Sequence, residues 1–225
     1  MSWRNIVSKN LQINNRILSS IILTILITSL IGISLYQNYS ENQVNDLPVY
    51  NQINQFTLPS ITGENFTYVP NENPVMIVSF MYTKCPGDSG CSLITQNMDI
   101  LEDRLENSEF QDTTMLSIDF DYVNDTMTDL KNYATLFTNN FERWKFVLGN
   151  ENQTNSVAEQ FGFYFSINSG LQLSHGENDN DPYVHPMITY ILDRDGYIRK
   201  LIQGTDWNFD QILNSINYLN SDNYN

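Results

Sequence analysis

The sequence predicts an α/β fold with a largely parallel central sheet, preceded by one membrane-spanning helix. Three observations predict it. Short apolar runs of strand character alternate with longer segments whose apolar residues recur at helical spacing. Residues 17–36 carry no charge and are long enough to cross a bilayer as a helix. The chain's two cysteines, Cys85 and Cys91, share one turn between an apolar run and an amphipathic one. A strand-to-helix turn is where α/β folds place reactive groups.

The N-terminal segment sets the topology. Arg4, Lys9 and Arg16 precede the apolar span, and all 26 acidic residues follow it. By the positive-inside rule residues 1–16 stay in the cytoplasm and the remainder faces outward. A cleaved signal peptide is the rival reading of 17–36. Its apolar region would be shorter, and no A-x-A-like site follows Tyr36, so the sequence favours an anchor. The net charge of −15 argues against nucleic acid and against anionic lipid surfaces as partners. An exported location also permits a disulfide.

Residues 37–53 are polar, rich in Asn and Gln, and contain Pro48, which suits a tether. A domain is expected over 54–222. The segment Phe56–Thr67 reads as strand–turn–strand, with Gly63 in the turn. Val75–Met81 is a buried strand. The turn Tyr82-Thr-Lys-Cys85-Pro-Gly-Asp-Ser-Gly-Cys91 follows, then a helix with Ile94, Met98, Leu101 and Leu105 on one face. Cys91 at or near that helix N-terminus favours the thiolate, the form that attacks disulfides and binds soft metals.

Thr113–Ile118 is a second buried strand, ending at Asp119. The next helix presents Leu130, Tyr133, Ala134 and Phe137, and Thr126 with Asp129 forms a capping pair. Asp119 and Asp125 read as caps or loop fixers for that helix rather than as ligands. Trp144–Leu148 is a third strand. Ser156-x-x-Glu159 predicts a short helix starting there and running through Phe161. Residues 166–186 are polar and aperiodic, as a functional or mobile loop is. They hold His175, read as solvent-exposed, and the acidic trio Glu177, Asp179 and Asp181. Met187–Leu192, the turn Asp193-Arg-Asp-Gly196 and Tyr197–Gln203 form a hairpin. Phe209, Ile212, Leu213, Ile216 and Leu219 define the closing amphipathic helix.

A strand, a cysteine turn, a helix, a late hairpin and a final helix follow the thioredoxin order. That order implies a thioredoxin-like fold, with a central mixed sheet flanked by helices. The two cysteines are spaced C-x5-C rather than C-x-x-C. This spacing resembles the Sco/SenC family, copper proteins that help assemble cytochrome c oxidase. Most members carry Y-T-x-C-P-x-x-C-P, and a subgroup has a loop longer by two residues. Ser117-Ile-Asp119 with Asp125-Thr126 resembles the family's S-[IV]-D-P-x-x-D-T-P, with extra residues between. The run from Tyr183 through His185 to Tyr190 and Gly196 is similar to D-H-[ST]-x-x-x-Y-L-I-x-x-D-G. The resemblance covers about Asn54 to Leu219. Ser92, Pro186 and Met127 depart from it.

The resemblance implies a redox-active pair, Cys85 and Cys91, able to close a disulfide. It implies a copper site, Cu(I) or Cu(II), made by Cys85, Cys91 and His185. It also implies a partner, the CuA-bearing subunit of a haem–copper oxidase, and a single-pass protein of the cell membrane with its C-terminal domain outside. The mitochondrial inner membrane is the alternative location. The donor chemistry agrees. Two thiolates and an imidazole suit copper, whereas structural zinc normally takes four protein ligands. His175 is a possible fourth ligand and Met187 a weaker one. A second function class is a thiol–disulfide oxidoreductase that reduces partner cysteines outside the membrane. Only the metal site needs His185. A third is a tethered binding module with an inert disulfide.

Overall fold

The computed structural model describes residues 17–36, 47–85, 90–107, 112–167 and 182–221. The chain divides into two compact units, Met1–Asp46 and Leu47–Asn225. In the first, helix α1 (Ile17–Tyr36) has 20 residues and a mean hydropathy of 2.3. At 1.5 Å per residue it spans about 30 Å, the thickness of a bilayer's hydrocarbon core.

The second unit runs β1 (Phe56–Pro59), β2 (Asn65–Tyr68), β3 (Met76–Met81), α2 (Gly90–Glu106), β4 (Thr114–Asp119), α3 (Met127–Ala134) and β5 (Trp144–Leu148). It continues with α4 (Glu151–Phe161), β6 (Ser166–Ile167), β7 (Tyr183–Val184), β8 (Ile188–Leu192), β9 (Ile198–Gln203) and α5 (Phe209–Asn220). The central sheet has the order β5-β4-β3-β8-β9. Strands β3, β4 and β5 are parallel, while β8 is antiparallel to β3 and β9 to β8. The sheet is therefore mixed, as the thioredoxin order implies.

Strand pleating sorts the core into two layers. Met76, Val78 and Phe80 of β3 face the β1–β2 hairpin and α4. Ile77 and Met81 face α2, α3 and α5. Every residue of β3 is buried, which explains its unbroken apolar run. Its one polar member, Ser79, meets the Ser117 hydroxyl at 3.1 Å, and Trp144 Nε1 donates to Ser117 at 2.9 Å. These bonds satisfy the polar atoms the helix-covered face would otherwise strand.

Both outer strands of the sheet are covered. Along β9, Tyr50 donates to the Ile198 carbonyl (2.9 Å) and Ile198 to Asn51 (3.0 Å). Along β5, Ile61 donates to Phe146 (3.2 Å), beside a bridge between Ser60 and Val147. Arg199 holds the start of this covering segment. Its Nε and Nη2 each donate at 2.9 Å, to the carbonyls of Pro48 and Leu47, and its Nη1 meets Asp193 at 3.1 Å. Residues 47–53, composed like the end of a polar tether, thus lie on the folded unit, and Ile53 is fully buried.

One helix start differs from the sequence reading. Helix α4 begins at Glu151, and Ser156 lies inside it. Asn150 is the N-cap. Its side chain accepts from Gln153 N at 3.1 Å, and Gln153 Oε1 accepts from Asn150 N at 3.1 Å. Asn and Gln satisfy two backbone donors in the same way as the Ser and Glu pattern would, six residues earlier. The Thr126–Asp129 capping box on α3 is as read. Helix α3 ends before Phe137, which still packs on Tyr133 with ring centroids 5.0 Å apart.

Candidate functional site

Strand β3 delivers the chain into the site. Tyr82, just past its end, is fully buried, and its carbonyl accepts from Cys85 N at 3.4 Å. Cys85 is half-buried against the hairpin-side core. Cys91 is the second residue of α2 and 2 % exposed. The two are joined by a disulfide, with Cα atoms 6.4 Å apart. No acidic residue lies in the first turn of α2, where the helix dipole favours a thiolate at Cys91 and its burial opposes one.

The turn before Cys85 is held from the neighbouring strand. Asp125, whose side chain is 0 % exposed, accepts from Thr83 N (2.7 Å) and from Thr83 Oγ1 (2.6 Å). Lys84 Nζ reaches Asp125 at 3.1 Å and also donates to the Asn124 carbonyl. The Asp125 hydrogen bond raises the Lys84 pKa, so the ammonium is kept. Asp119 is buried beside Asp125, and its Oδ1 accepts from Asp121 N at 2.9 Å. Burial first, and then the Asp125 charge, push its carboxyl well above the usual range and favour the neutral acid. Neither aspartate caps α3. Asp119 fixes its own loop, and Asp125 clamps the cysteine turn.

His185 is half-buried among aromatic rings: Phe120 at 5.1 Å, Phe163 at 6.1 Å and Tyr82 at 6.2 Å, centroid to centroid. These three rings belong to the same apolar layer as Cys91, with Cys85 packed against it. His185 Nδ1 lies 3.2 Å from the Pro186 carbonyl. A carbonyl only accepts, so a hydrogen bond there requires the proton on Nδ1, the tautomer whose lone pair is on Nε2.

Met187 lies on the other side of the sheet, packed against the helix-covered core. Its sulfur fills the space a Cβ on Gly90 would need, which is why glycine starts α2. His175, Glu177, Asp179 and Asp181 lie outside the described residues. Among the described residues no three His, Cys, Asp or Glu side chains are posed together around a metal position. In the disulfide form both sulfurs are bonded to each other and neither is a thiolate.

The family model described as SCO1/SenC matches residues 46–220. The chain belongs to the SCO1/SenC family. It is 25% identical over 175 residues to the SCO1 protein homolog of Bacillus subtilis (strain 168), covering 77% of this chain and 85% of the relative. Among solved structures it is similar to BsSco, described through a disulfide switch as a member of the Sco family of cytochrome c oxidase assembly proteins. The TM-score is 0.62 at 22% identity, over 76% of this chain and 95% of that one. It is also similar to yeast Sco1 with copper bound, with a TM-score of 0.59 at 17% identity, over 75% of this chain and 90% of that one. Likeness at these identities establishes the shared fold.

Sequence reasoning passed over two residues of this region of the SCO1/SenC fold. Tyr183 Oη donates to Asp121 Oδ1 at 2.6 Å, and Asn124 Nδ2 reaches Tyr183 Oη at 3.2 Å. Burial and then the Asp121 bond raise the Tyr183 phenol, so it remains a donor throughout the physiological range. The available signal was position: Tyr183 stands two residues before His185, and Asp121 lies in the loop leaving the strand beside β3.

Proposed function

We propose that this SCO1/SenC protein is a membrane-tethered copper metallochaperone that helps assemble the CuA centre of cytochrome c oxidase. Cys85, Cys91 and His185 are its ligands. In this reading α1 is the anchor and residues 1–16 are cytoplasmic. The polar segment 37–53, whose last residues 47–53 lie on the folded unit, leads to a domain over 54–222 on the outer face of the cell membrane. The observation that carries the reading is the shared aromatic wall. Two sulfurs and an imidazole share the apolar layer that contains Tyr82 and Phe120, and the imidazole packs on both rings. Yeast Sco1 with copper bound and the oxidase-assembly role stated for BsSco support it.

Copper is the cargo, and the chain's own groups decide when it is held. An external dithiol supplies two electrons and two protons to the Cys85–Cys91 bond and is itself oxidised to a disulfide. Loss of the thiol protons then gives two thiolates, with Cys91 favoured by the helix N-terminus. Two sulfurs suffice for Cu(I), and the imidazole adds the nitrogen that suits Cu(II). The apolar wall excludes water from one side of the site and strengthens each charge–metal contact.

The exposure of the pair supports a second reading, a thiol–disulfide oxidoreductase. Half-buried Cys85 is the sulfur a partner can reach, and buried Cys91 the one that resolves. Cys85 thiolate attacks a partner disulfide and forms a mixed disulfide. Cys91 thiolate then displaces the partner's second thiolate, and two electrons have passed to the partner. His185 has no part in that sequence.

Copper titration of the reduced protein, with Cys85→Ser and His185→Ala beside it, separates the two. Cys85→Ser loses both copper states. His185→Ala weakens Cu(II) and changes its thiolate-to-copper absorption, while Cu(I) survives on two sulfurs. Wild-type Cu(II) affinity falls on acidification, because imidazolium and thiol do not bind metal. If His185→Ala binds Cu(II) with wild-type affinity and spectrum, the ligand set is wrong and the oxidoreductase reading takes its place.

A further inference from the structure

The cysteine turn and the histidine come from distant parts of the chain. Something must fix their separation, because a metal bound by both tolerates little slack. The loop between β4 and α3 touches both. On one side Asp125 grips Thr83 through two bonds of 2.7 and 2.6 Å and pairs with Lys84, the residue before Cys85. On the other side Asp121 accepts from Tyr183 at 2.6 Å, two residues before His185. The two grips are tied within the loop. Asp125 N donates to the Asp121 carbonyl at 3.0 Å. Asn124 donates to Asp121 Oδ1 from its backbone (3.0 Å) and from its side chain (2.9 Å). The Tyr183 ring meets Tyr82 and Phe120 edge-on at 5.2 and 5.4 Å, so it cannot swing without moving the wall.

We propose that the Asp121–Asn124–Asp125 loop is a brace setting the distance between the cysteine pair and His185, with Asp125 and Tyr183 as positioning residues. The histidine half rests on the copper reading. The cysteine half does not, since the turn is braced whatever the sulfurs later bind. Asp125 touches neither sulfur. It acts by immobilising Thr83, which raises the effective concentration of one thiol at the other. Tyr183 acts by holding β7 against the brace, so that His185 leaves β7 at a fixed height over Tyr82.

The full-length protein in detergent tests both halves. The readouts are the thiol–disulfide equilibrium against glutathione and Cu(II) titration with its absorption spectrum. Asp125→Ala shifts the equilibrium constant roughly tenfold toward the dithiol, about 30 mV in potential. Asp125→Asn, which keeps one acceptor for Thr83, falls between it and wild type. Lys84→Gln changes neither readout, because that partner is 57 % exposed and its pair is screened. Tyr183→Phe keeps the ring and removes the hydroxyl. It leaves the thiol equilibrium at the wild-type value and weakens Cu(II) roughly 10–100-fold, with an altered spectrum. Folding is checked by circular dichroism. If Asp125→Ala does not fold, Asp125→Asn and Tyr183→Phe decide. A folded Asp125→Ala (or, in its absence, Asp125→Asn) with the wild-type equilibrium constant overturns the brace, as does Tyr183→Phe with wild-type Cu(II) affinity. If the wild-type chain binds no copper, the copper reading fails by itself, and the glutathione equilibrium of the Asp125 variants still decides the brace.

Discussion

Glu102 offers a quantitative test of how the cysteine-bearing helix is held. It lies on α2, 5 % exposed, in a hollow it shares with Asp99, Asp103 and Glu106. Burial is the main cause that raises its pKa from 4.5 to about 6, and Glu106 and Asp99 add to it. The Thr138 hydroxyl and the Arg143 guanidinium offset part of the rise. At about 1.4 kcal/mol per pKa unit, the ionised carboxylate costs the fold about 2 kcal/mol. The sign follows from proton binding. Between 4.5 and about 6 the folded chain holds more protons at this group than the unfolded chain does. Stability from this group is therefore highest at low pH and falls as pH rises through that window. Glu102→Gln removes the titration and keeps the shape. In urea denaturation followed by tryptophan fluorescence, the variant should match wild type near pH 4 and exceed it by about 2 kcal/mol near pH 7.5. An advantage of equal size at both pH values would refute the reasoning, and so would a less stable variant near pH 7.5. Glu102 sits about three turns from Cys91, so copper binding should not change.

Two other perturbations address the frame of the site. Arg199→Ala leaves the buried Asp193 carboxylate without its guanidinium and releases Leu47 and Pro48. The expected loss is roughly 3–5 kcal/mol in denaturant unfolding, with faster proteolysis at the start of the folded unit. Gly90→Ala drives a methyl into the Met187 sulfur at the start of α2. It should cost roughly 1–3 kcal/mol, and Met187→Ala should make room, so that the double variant loses less than the two single losses added.

Local pattern made most of the fold legible. The stripe of α5 buries Ile212, Ile216 and Leu219 as its spacing requires, and the apolar run of β3 is buried on both faces. The turn at Gly196 is legible for the same reason. Its φ is 87°, and a Cβ there would meet the Tyr68 hydroxyl at 2.8 Å. What escaped was non-local. Asp125 reads as a cap because Thr126 and Asp129 follow it, yet its partner Thr83 is 42 residues away. Only the parallel pairing of β3 with β4, which sets Met81 opposite Asp119, brings the two loops together. The Ser156 pattern failed for the opposite reason. Three-residue spacing recurs by chance in a polar helix, and Asn150 with Gln153 supplied the true cap. Cysteine spacing and the His185 strand were readable because both are short motifs. The brace joining them is a product of topology.

The covered edges of the central sheet have a consequence for association between copies of this chain. An unpaired strand edge is a template for another chain. Here Tyr50 and Asn51 occupy the outer side of β9, and Ser60 and Ile61 occupy that of β5. Each contact shortens the stretch of edge that a neighbour could pair with. The seal on β9 is also the first part of the folded unit, clasped by Arg199. Proteolysis there, or loss of the clasp, would bare more of the β9 edge to a second chain.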